Sequence, residues 1–127
     1  MTFARNLFSF AGSYGVIVTA PMFFLEVQLN IDYPPAITHP EYFYGFIGVT
    51  LTWQFLFIMI ARDIRRYRMM MIPAILEKFL YAVAGFVLFT HGRVSSMIAS
   101  FAGIDLVFGA LFIVAFIKTK EQSPFTP

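Results

Sequence analysis

The stretch GIDLVFGALFIVAFIKT, residues 103 to 119, is an almost unbroken apolar run close to the length of a membrane-spanning helix. It carries one carboxylate, Asp105. A charged side chain near the centre of a bilayer costs about 2.5–3.5 kcal/mol on insertion scales. We therefore expect the rest of the chain to supply something that compensates Asp105: a partner, a bound cation, water or a proton.

The composition indicates a membrane protein. The 127 residues are 59% hydrophobic and 13% charged, with 17 phenylalanines, which leaves too few polar groups to cover a water-soluble globule. Four spans of about 20 residues would take up most of the chain, so no separate soluble domain is expected. The absence of cysteine excludes disulfides and thiolate metal sites. The net charge of +2 is attributed to membrane topology, and no nucleic-acid partner is predicted.

Four apolar stretches predict four membrane spans. They cover approximately residues 7–29, 42–61, 69–90 and 95–117, within one transmembrane domain of residues 1–119. Sequential helices with short connections pack antiparallel, so we predict an all-α, integral membrane four-helix bundle. Residues 120–127, KEQSPFTP, are predicted to form a disordered cytoplasmic tail.

The positions of lysine and arginine predict the orientation. One side of the predicted bundle has Arg93, whereas the other side carries Arg5, Arg62, Arg65, Arg66, Arg68, Lys118 and Lys120. Cytoplasmic loops are enriched in such residues, so both termini are predicted to be cytoplasmic. The short loops and the lack of a Lys-Asp-Glu-Leu type ending favour a bacterial cytoplasmic membrane over the endoplasmic reticulum.

Ionisable residues inside the spans are candidates for a site. A rise of about 1.5 Å per residue puts Asp105 near the midplane and Glu77 at a similar depth on the third span. Glu77 and Tyr81 share a helix face because they are four residues apart. Lys78 cannot point the same way as Glu77, and its stem is expected to reach towards the cytoplasmic interface. We predict that Asp105 faces the bundle interior and shares a polar cavity with Glu77, Tyr81 and Thr50.

Two interpretations of the intramembrane polar residues remain open. In the structural one, Glu26 lies among lipid headgroups, Glu77 and Asp105 form interhelical hydrogen bonds or ion pairs, and Gln54 joins helices. In the functional one, the polar groups converge on an aromatic-walled cavity for an amphipathic molecule with one cationic or hydroxyl group. The candidate ligand-binding residues are Glu26, Glu77, Asp105, Thr50, Gln54, Trp53 and Tyr81.

Motifs for common catalytic and metal sites are missing from the sequence. There is no Gly-rich phosphate loop, no serine nucleophile elbow and no HExxH zinc spacing. His39 and His91 both fall at the outer face. A haem held between helices needs histidines at matched depth on facing spans, and the inner half of the predicted bundle has none. We predict no metal and no cofactor.

Three stretches resemble the EXPERA family, four-helix membrane proteins that include the sigma-two receptor and the emopamil-binding sterol isomerase. FFLEVQL resembles the family's aromatic-rich stretch with an acid, here Glu26. PEYFYGFIGVTLTWQFLF resembles its second helix, in which the glutamine matches Gln54. IPAILEKF resembles the proline-bearing start of its third helix, at Pro73. The resemblance covers roughly the first two thirds of the chain.

The resemblance implies acids that hold a cationic amine or a carbocation-like sterol intermediate. Glu26 would be one such acid, but the family's second acid falls at Thr50, which can form a hydrogen bond but cannot carry charge, and this departure argues against sterol isomerase activity. Glu77 or Asp105 would supply the missing charge from another helix. A rival resemblance, of topology only, is to the DoxX-like group of small four-helix proteins associated with redox membrane complexes.

Three functions are compatible with the sequence. The first is a binding protein for a lipophilic amine or sterol-like ligand with acidic anchors. The second is a structural or redox-accessory subunit of a larger membrane complex. The third is a lipid-modifying isomerase or other enzyme that acts on a lipid or quinone. The partners expected are membrane lipids, with a lipophilic amine, sterol or quinone as ligand, and a homodimer or larger complex as the assembly.

Overall fold

The structure, a computed structural model, describes residues 1–120, and every regular element in that range is helical. The predicted tail lies outside the described residues beyond Lys120. In chain order the elements are α1 (Thr2–Thr19), a 3-10 helix (Ala20–Phe24), α2 (Glu26–Asp32), α3 (Pro40–Arg62), α4 (Ile64–Tyr67), a second 3-10 helix (Arg68–Met70), α5 (Met71–Thr90) and α6 (Ser96–Lys118).

Four helical stretches are long and apolar enough to cross a membrane. They are Thr2–Phe24, Pro40–Arg62, Ile64–Thr90 and Ser96–Lys118. This confirms the prediction of an all-helical chain with four candidate spans, and it fits an integral membrane protein. The side of the membrane on which the termini lie stays a prediction.

The structure divides the predicted first span of residues 7–29. Helix α1 ends at Thr19, a 3-10 turn runs through Phe24, and Glu26 begins the separate short helix α2. Pro21 lies in the first turn of the 3-10 segment. Because proline lacks an N–H group and crowds the preceding turn, it interrupts the α-helical hydrogen bonding there. Apolar character alone did not reveal this break.

The bundle consists of two closely packed antiparallel pairs, α1 with α3 and α5 with α6. Glycines permit the close approach in each pair. A Cβ atom at Gly12 would lie 2.8 Å from the backbone oxygen of Gln54, and one at Gly15 would overlap the Gln54 side chain. In the second pair, a Cβ atom at Gly85 would lie 2.9 Å from that of Ala102. Small residues therefore set the helix spacing, as expected where lipid replaces water.

An aromatic core joins the two pairs. The rings of Phe8 on α1 and Phe112 on α6 stack with centroids 4.2 Å apart, and Phe57 on α3 meets Phe112 edge-on at 5.2 Å. All three side chains are fully buried. Such aromatic pairs contribute about 0.5–1.5 kcal/mol beyond their area burial. They fix α1 against α6 next to the intramembrane polar residues.

Both ends of the described chain lie at the same end of the bundle. The Nζ atom of Lys118 lies 4.7 Å from the ring centroid of Phe3. Nearby, Arg68 is buried and donates from Nη2 to the carbonyl oxygen of Phe116 at 2.6 Å, while its Nε lies 3.2 Å from Oγ1 of Thr119. The guanidinium group thus binds a carbonyl oxygen in the last turn of α6, where the helix dipole favours a positive charge.

Candidate functional site

An ion pair between the third and fourth spans lies inside the bundle. The Nζ atom of Lys78 on α5 is 3.4 Å from Oδ1 of Asp105 on α6. The side chain of Lys78 is 7% exposed and that of Asp105 is 18% exposed. The partner that Asp105 requires in the membrane is therefore a lysine of the same chain.

Glu77 is the third member of this group. Its Oε2 atom lies 3.6 Å from Nζ of Lys78, within range of an ion pair but not of a good hydrogen bond. That oxygen is buried and has no hydrogen-bond partner. We refer to Glu77, Lys78 and Asp105 as the charge cluster. It contains two carboxylates and one ammonium group.

The expectation that Lys78 extends to the cytoplasmic interface is wrong. Lys78 lies on the buried face of α5 together with Ala74, Ala82 and Gly85. These small neighbours leave space for the long lysine side chain between α5 and α6. The ammonium group therefore reaches Asp105 laterally instead of extending to the membrane surface. The spacing of Ala74, Lys78 and Ala82 by four residues was the sequence signal for this arrangement.

Aromatic rings surround the ammonium group. Nζ of Lys78 lies 5.1 Å from the ring centroid of Phe57 and 5.5 Å from that of Phe108. Both distances are within the range of cation–π attraction, which contributes about 2 kcal/mol or more when the cation is desolvated. Two carboxylates and two aromatic faces thus lie next to the ammonium group of Lys78, and these are the kinds of group that bind an organic cation.

Two tyrosines approach the cluster. Tyr81 on α5 and Tyr14 on α1 are both close enough to Asp105 for its charge to act on their hydroxyl groups. The ring of Tyr81 stacks with Phe46 at 6.0 Å, and that of Tyr14 lies 5.8 Å from Phe108. Tyr81 was predicted from its spacing to Glu77. Tyr14 was missed because nothing in the sequence indicates which face of α1 meets α6.

Comparisons with protein-family profiles, with curated proteins and with solved structures return no match to this chain. The resemblances to the EXPERA family and to the DoxX-like group therefore stay predictions. What the site can bind follows from the chemistry of its own residues.

The structure places Glu26 in a separate environment. It begins α2, and its Oε2 atom accepts a hydrogen bond of 2.7 Å from the hydroxyl group of Tyr44. The ring of Phe23 stacks with Tyr44 at 6.2 Å. Because Tyr44 lies in the second turn of α3, this contact closes the end of the bundle that carries the α1–α3 connection. Glu26 is thus engaged away from the charge cluster.

The candidates on α3 pack between helices. The amide of Gln54 is buried against Gly15 of α1, and its Nε2 donates to the backbone oxygen of Thr50 at 2.9 Å. The ring of Trp53 lies 6.5 Å from that of Phe57, which in turn contacts Lys78. Gln54 is therefore buried at the contact between α1 and α3 but donates within its own helix, and Trp53 packs near Phe57.

Within residues 1–120, no group of three or more metal-ligating side chains lies close enough together to hold a metal ion. His39 pairs instead with Glu41 at 3.2 Å, with both side chains more than half exposed at the start of α3. The contact between His39 and Glu41 is thus a surface interaction at one end of the bundle.

An open apolar groove borders the cluster. It has a volume of about 520 Å³, runs between α1 and α6, and is lined by apolar residues apart from Ser100. Phe10 of α1 and Gly103, Val107 and Phe108 of α6 form part of its walls. Phe108 also contacts Lys78, so the groove and the charge cluster share this ring as a boundary.

Proposed function

We propose that the chain is an integral membrane protein that binds a lipophilic amine, or a sterol-like molecule with one hydroxyl group, at the charge cluster. The main support for the proposal is the buried carboxylate oxygen of Glu77. Its Oε2 atom is buried without a hydrogen-bond partner, while the neighbouring ammonium group of Lys78 is already 3.4 Å from Asp105.

The charge balance favours a cationic ligand. One ammonium group faces two carboxylates, so the fully ionised cluster has one negative charge in excess. An uncompensated charge inside a membrane is costly, and either a proton or a second cation removes the excess. A ligand ammonium beside Glu77 would balance the cluster and would meet the same aromatic environment that surrounds Lys78.

A sterol-like ligand would bind Glu77 through its hydroxyl group, and this contact would be weaker than that of an ammonium group. A hydroxyl group can donate a hydrogen bond to Oε2 of Glu77 and so satisfy the buried acceptor, but it brings no charge. The EXPERA resemblance agrees with an acid-anchored amine or sterol site, although here the acids would come from α5 and α6. We therefore expect amines to bind more tightly than neutral analogues of equal length.

The basic residues support an orientation for this binding protein. Arg62, Arg65 and Arg66 are exposed and lie at the bundle end that also contains Phe3 and Lys118. The positive-inside rule assigns such an end to the cytoplasm. We propose a cytoplasmic location for both termini, with a bacterial cytoplasmic membrane favoured over the endoplasmic reticulum.

Thermal stabilisation of the detergent-purified protein tests the binding proposal. The probes are N,N-dimethylhexadecylamine, hexadecanol, cholesterol and decylubiquinone. A ligand present at 100 times its dissociation constant stabilises the folded state by about 2.7 kcal/mol, which raises the midpoint measurably. We expect stabilisation by the amine, loss of that effect in Glu77→Gln, and its retention in Glu41→Gln, because Glu41 is exposed at the end of α3.

Other outcomes separate the alternative functions. An amine effect that persists unchanged in Glu77→Gln would refute the proposed site. Stabilisation by decylubiquinone alone would favour a redox accessory or a quinone enzyme, and isomerisation of added sterol would establish an enzyme. No stabilisation by any probe, together with recovery of the chain only in complex with other proteins, would favour a structural subunit.

A further inference from the structure

The α1–α6 groove and the charge cluster meet at one side chain. Phe108 lines the groove and is 7% exposed, and its ring centroid lies 5.5 Å from Nζ of Lys78. We infer that the groove holds the hydrocarbon chain of the amphiphile, which reaches the site from the lipid phase. This inference rests on the proposed function and adds to it the class of ligand: a long-chain amphiphile.

Helix α6 carries apolar and charged side chains on different faces of the same turns. Ile104, Val107 and Leu111 line the groove, whereas Asp105, which lies between them in the sequence, faces Lys78. A hydrocarbon chain in the groove therefore has a carboxylate at a similar depth, on the far side of Phe108. That arrangement matches a ligand with an apolar chain and one cationic head.

Helix α1 shows a similar arrangement across the groove. Phe10 lines the groove, and Tyr14, one turn later, lies close enough to Asp105 for electrostatic interaction. The rings of Phe10 and Tyr14 stack at 6.3 Å, and both pack against Phe108, at 6.1 and 5.8 Å. The three rings form a continuous aromatic surface from the groove to the cluster.

The walls of the groove fit a hydrocarbon occupant. The lining residues of the groove are all apolar apart from Ser100. Its walls contain exposed apolar side chains such as Phe10 and Val107, and it is open on one side. Because that side belongs to a candidate membrane span, the occupant arrives from the bilayer. The excess carboxylate beyond Phe108 selects a cationic head over an anionic one.

Filling the groove tests the inference. A Cβ atom at Gly103 would have Phe86 as its nearest described neighbour, at 3.9 Å, so Gly103→Leu adds a side chain to the groove wall without a clash at Cβ. The control is Gly48→Leu on α3, where a Cβ atom would meet nothing within 4 Å and which does not line the groove. Affinities for N,N-dimethylhexadecylamine and N,N-dimethylbutylamine are measured for both variants and the unmodified chain.

We expect Gly103→Leu to weaken binding of the hexadecyl amine at least tenfold and to leave the butyl amine unchanged. Gly48→Leu should bind both as the unmodified chain does. Binding of both amines with no effect of Gly103→Leu would overturn the groove inference and leave the proposed function standing. Equal losses of affinity for both amines would also overturn the groove inference, since the substitution would then act where the amine group binds.

Photolabelling tests the groove independently of the amine. A hexadecanol that carries a terminal diazirine is photoactivated with the purified protein, and the labelled residues are mapped by mass spectrometry. We expect labels to concentrate on the groove walls of α1 and α6 and to decline in Gly103→Leu, even if no amine binds and the proposed function fails. Labels spread evenly over all lipid-facing helices would overturn the inference.

Discussion

Nζ of Lys78 lies 3.4 Å from Oδ1 of Asp105, and this contact crosses the interface between α5 and α6, one of the two closely packed helix pairs. Both helices are candidate membrane spans. Lys78 is therefore the internal counter-ion of the carboxylate in the most apolar span. Glu77 lies on the other side of the same ammonium group, at 3.6 Å, so a change at Lys78 alters the surroundings of both carboxylates.

Replacing Lys78 by methionine should destabilise the bundle strongly. The substitution removes the only ammonium group of the charge cluster and leaves two partly buried carboxylates without a cation. Removal of one partner from a buried ion pair costs about 3–5 kcal/mol. Equilibrium unfolding in mixed micelles measures this loss, with Lys118→Met as the exposed lysine control.

A double variant isolates the coupling between the two residues. Lys78→Met combined with Asp105→Asn removes both charges, so its loss should be smaller than the sum of the two single losses. Purely additive losses would show that Lys78 and Asp105 do not interact in the membrane.

Arg68 should stabilise the bundle more than its neighbours in the basic segment. Its Nη2 and Nε donate to the carbonyl oxygen of Phe116 at 2.6 and 3.2 Å, and its guanidinium carbon lies 3.8 Å from the ring centroid of Phe116. Hydrogen bonds from charged groups contribute about 1.5–3 kcal/mol. Arg68→Met is expected to lose an amount in this range on unfolding in mixed micelles, whereas Arg65→Met, at an exposed position, should change little.

The conservative variant separates charge from geometry. Arg68→Lys keeps the positive charge at the end of α6 but cannot form the forked contact with the carbonyl, so an intermediate loss is expected. Full stability of Arg68→Lys would mean that charge alone accounts for the effect.

Two glycines should respond in opposite directions to alanine. At Gly12 a Cβ atom would lie 2.8 Å from the backbone oxygen of Gln54, so Gly12→Ala must separate α1 from α3. Such overpacking costs about 1–3 kcal/mol. At Gly48 nothing lies within 4 Å, and Gly48→Ala should gain about 0.5–1 kcal/mol from reduced backbone entropy in the unfolded chain. Thermal midpoints in detergent distinguish the two signs.

The four spans could be predicted from the sequence because the hydropathy of a span is summed over many residues. Each span is a long apolar run, and no single side-chain contact decides it. The end of the first span depended on a local feature, Pro21, whose effect on backbone hydrogen bonding a hydropathy average does not register. The structure accordingly separates Glu26 from the predicted span.

The candidate site was predicted only in part, for a reason of side-chain reach. Helical spacing placed Glu77 and Tyr81 on one face of α5, and it treated Lys78 as pointing elsewhere because Lys78 follows Glu77 directly. A lysine stem is long and flexible enough for the ammonium group to approach both Glu77 and Asp105. Facing positions on different helices, such as Tyr14 and Asp105, depend on packing that no local pattern encodes.

Cysteine labelling will decide the orientation of the bundle, and the chain is suited to it because it contains no cysteine. Single cysteines are introduced at Thr2 and at Thr38, which are exposed at opposite ends of the bundle. The exposed Arg5, Arg62, Arg65 and Arg66 lie at the Thr2 end, whereas Arg93 lies at the other end, so the positive-inside rule places the Thr2 end in the cytoplasm. A membrane-impermeant maleimide applied to intact cells should therefore label Thr38→Cys at once and Thr2→Cys only after permeabilisation. The reverse pattern would show that the basic end faces outward and would refute the cytoplasmic assignment of both termini.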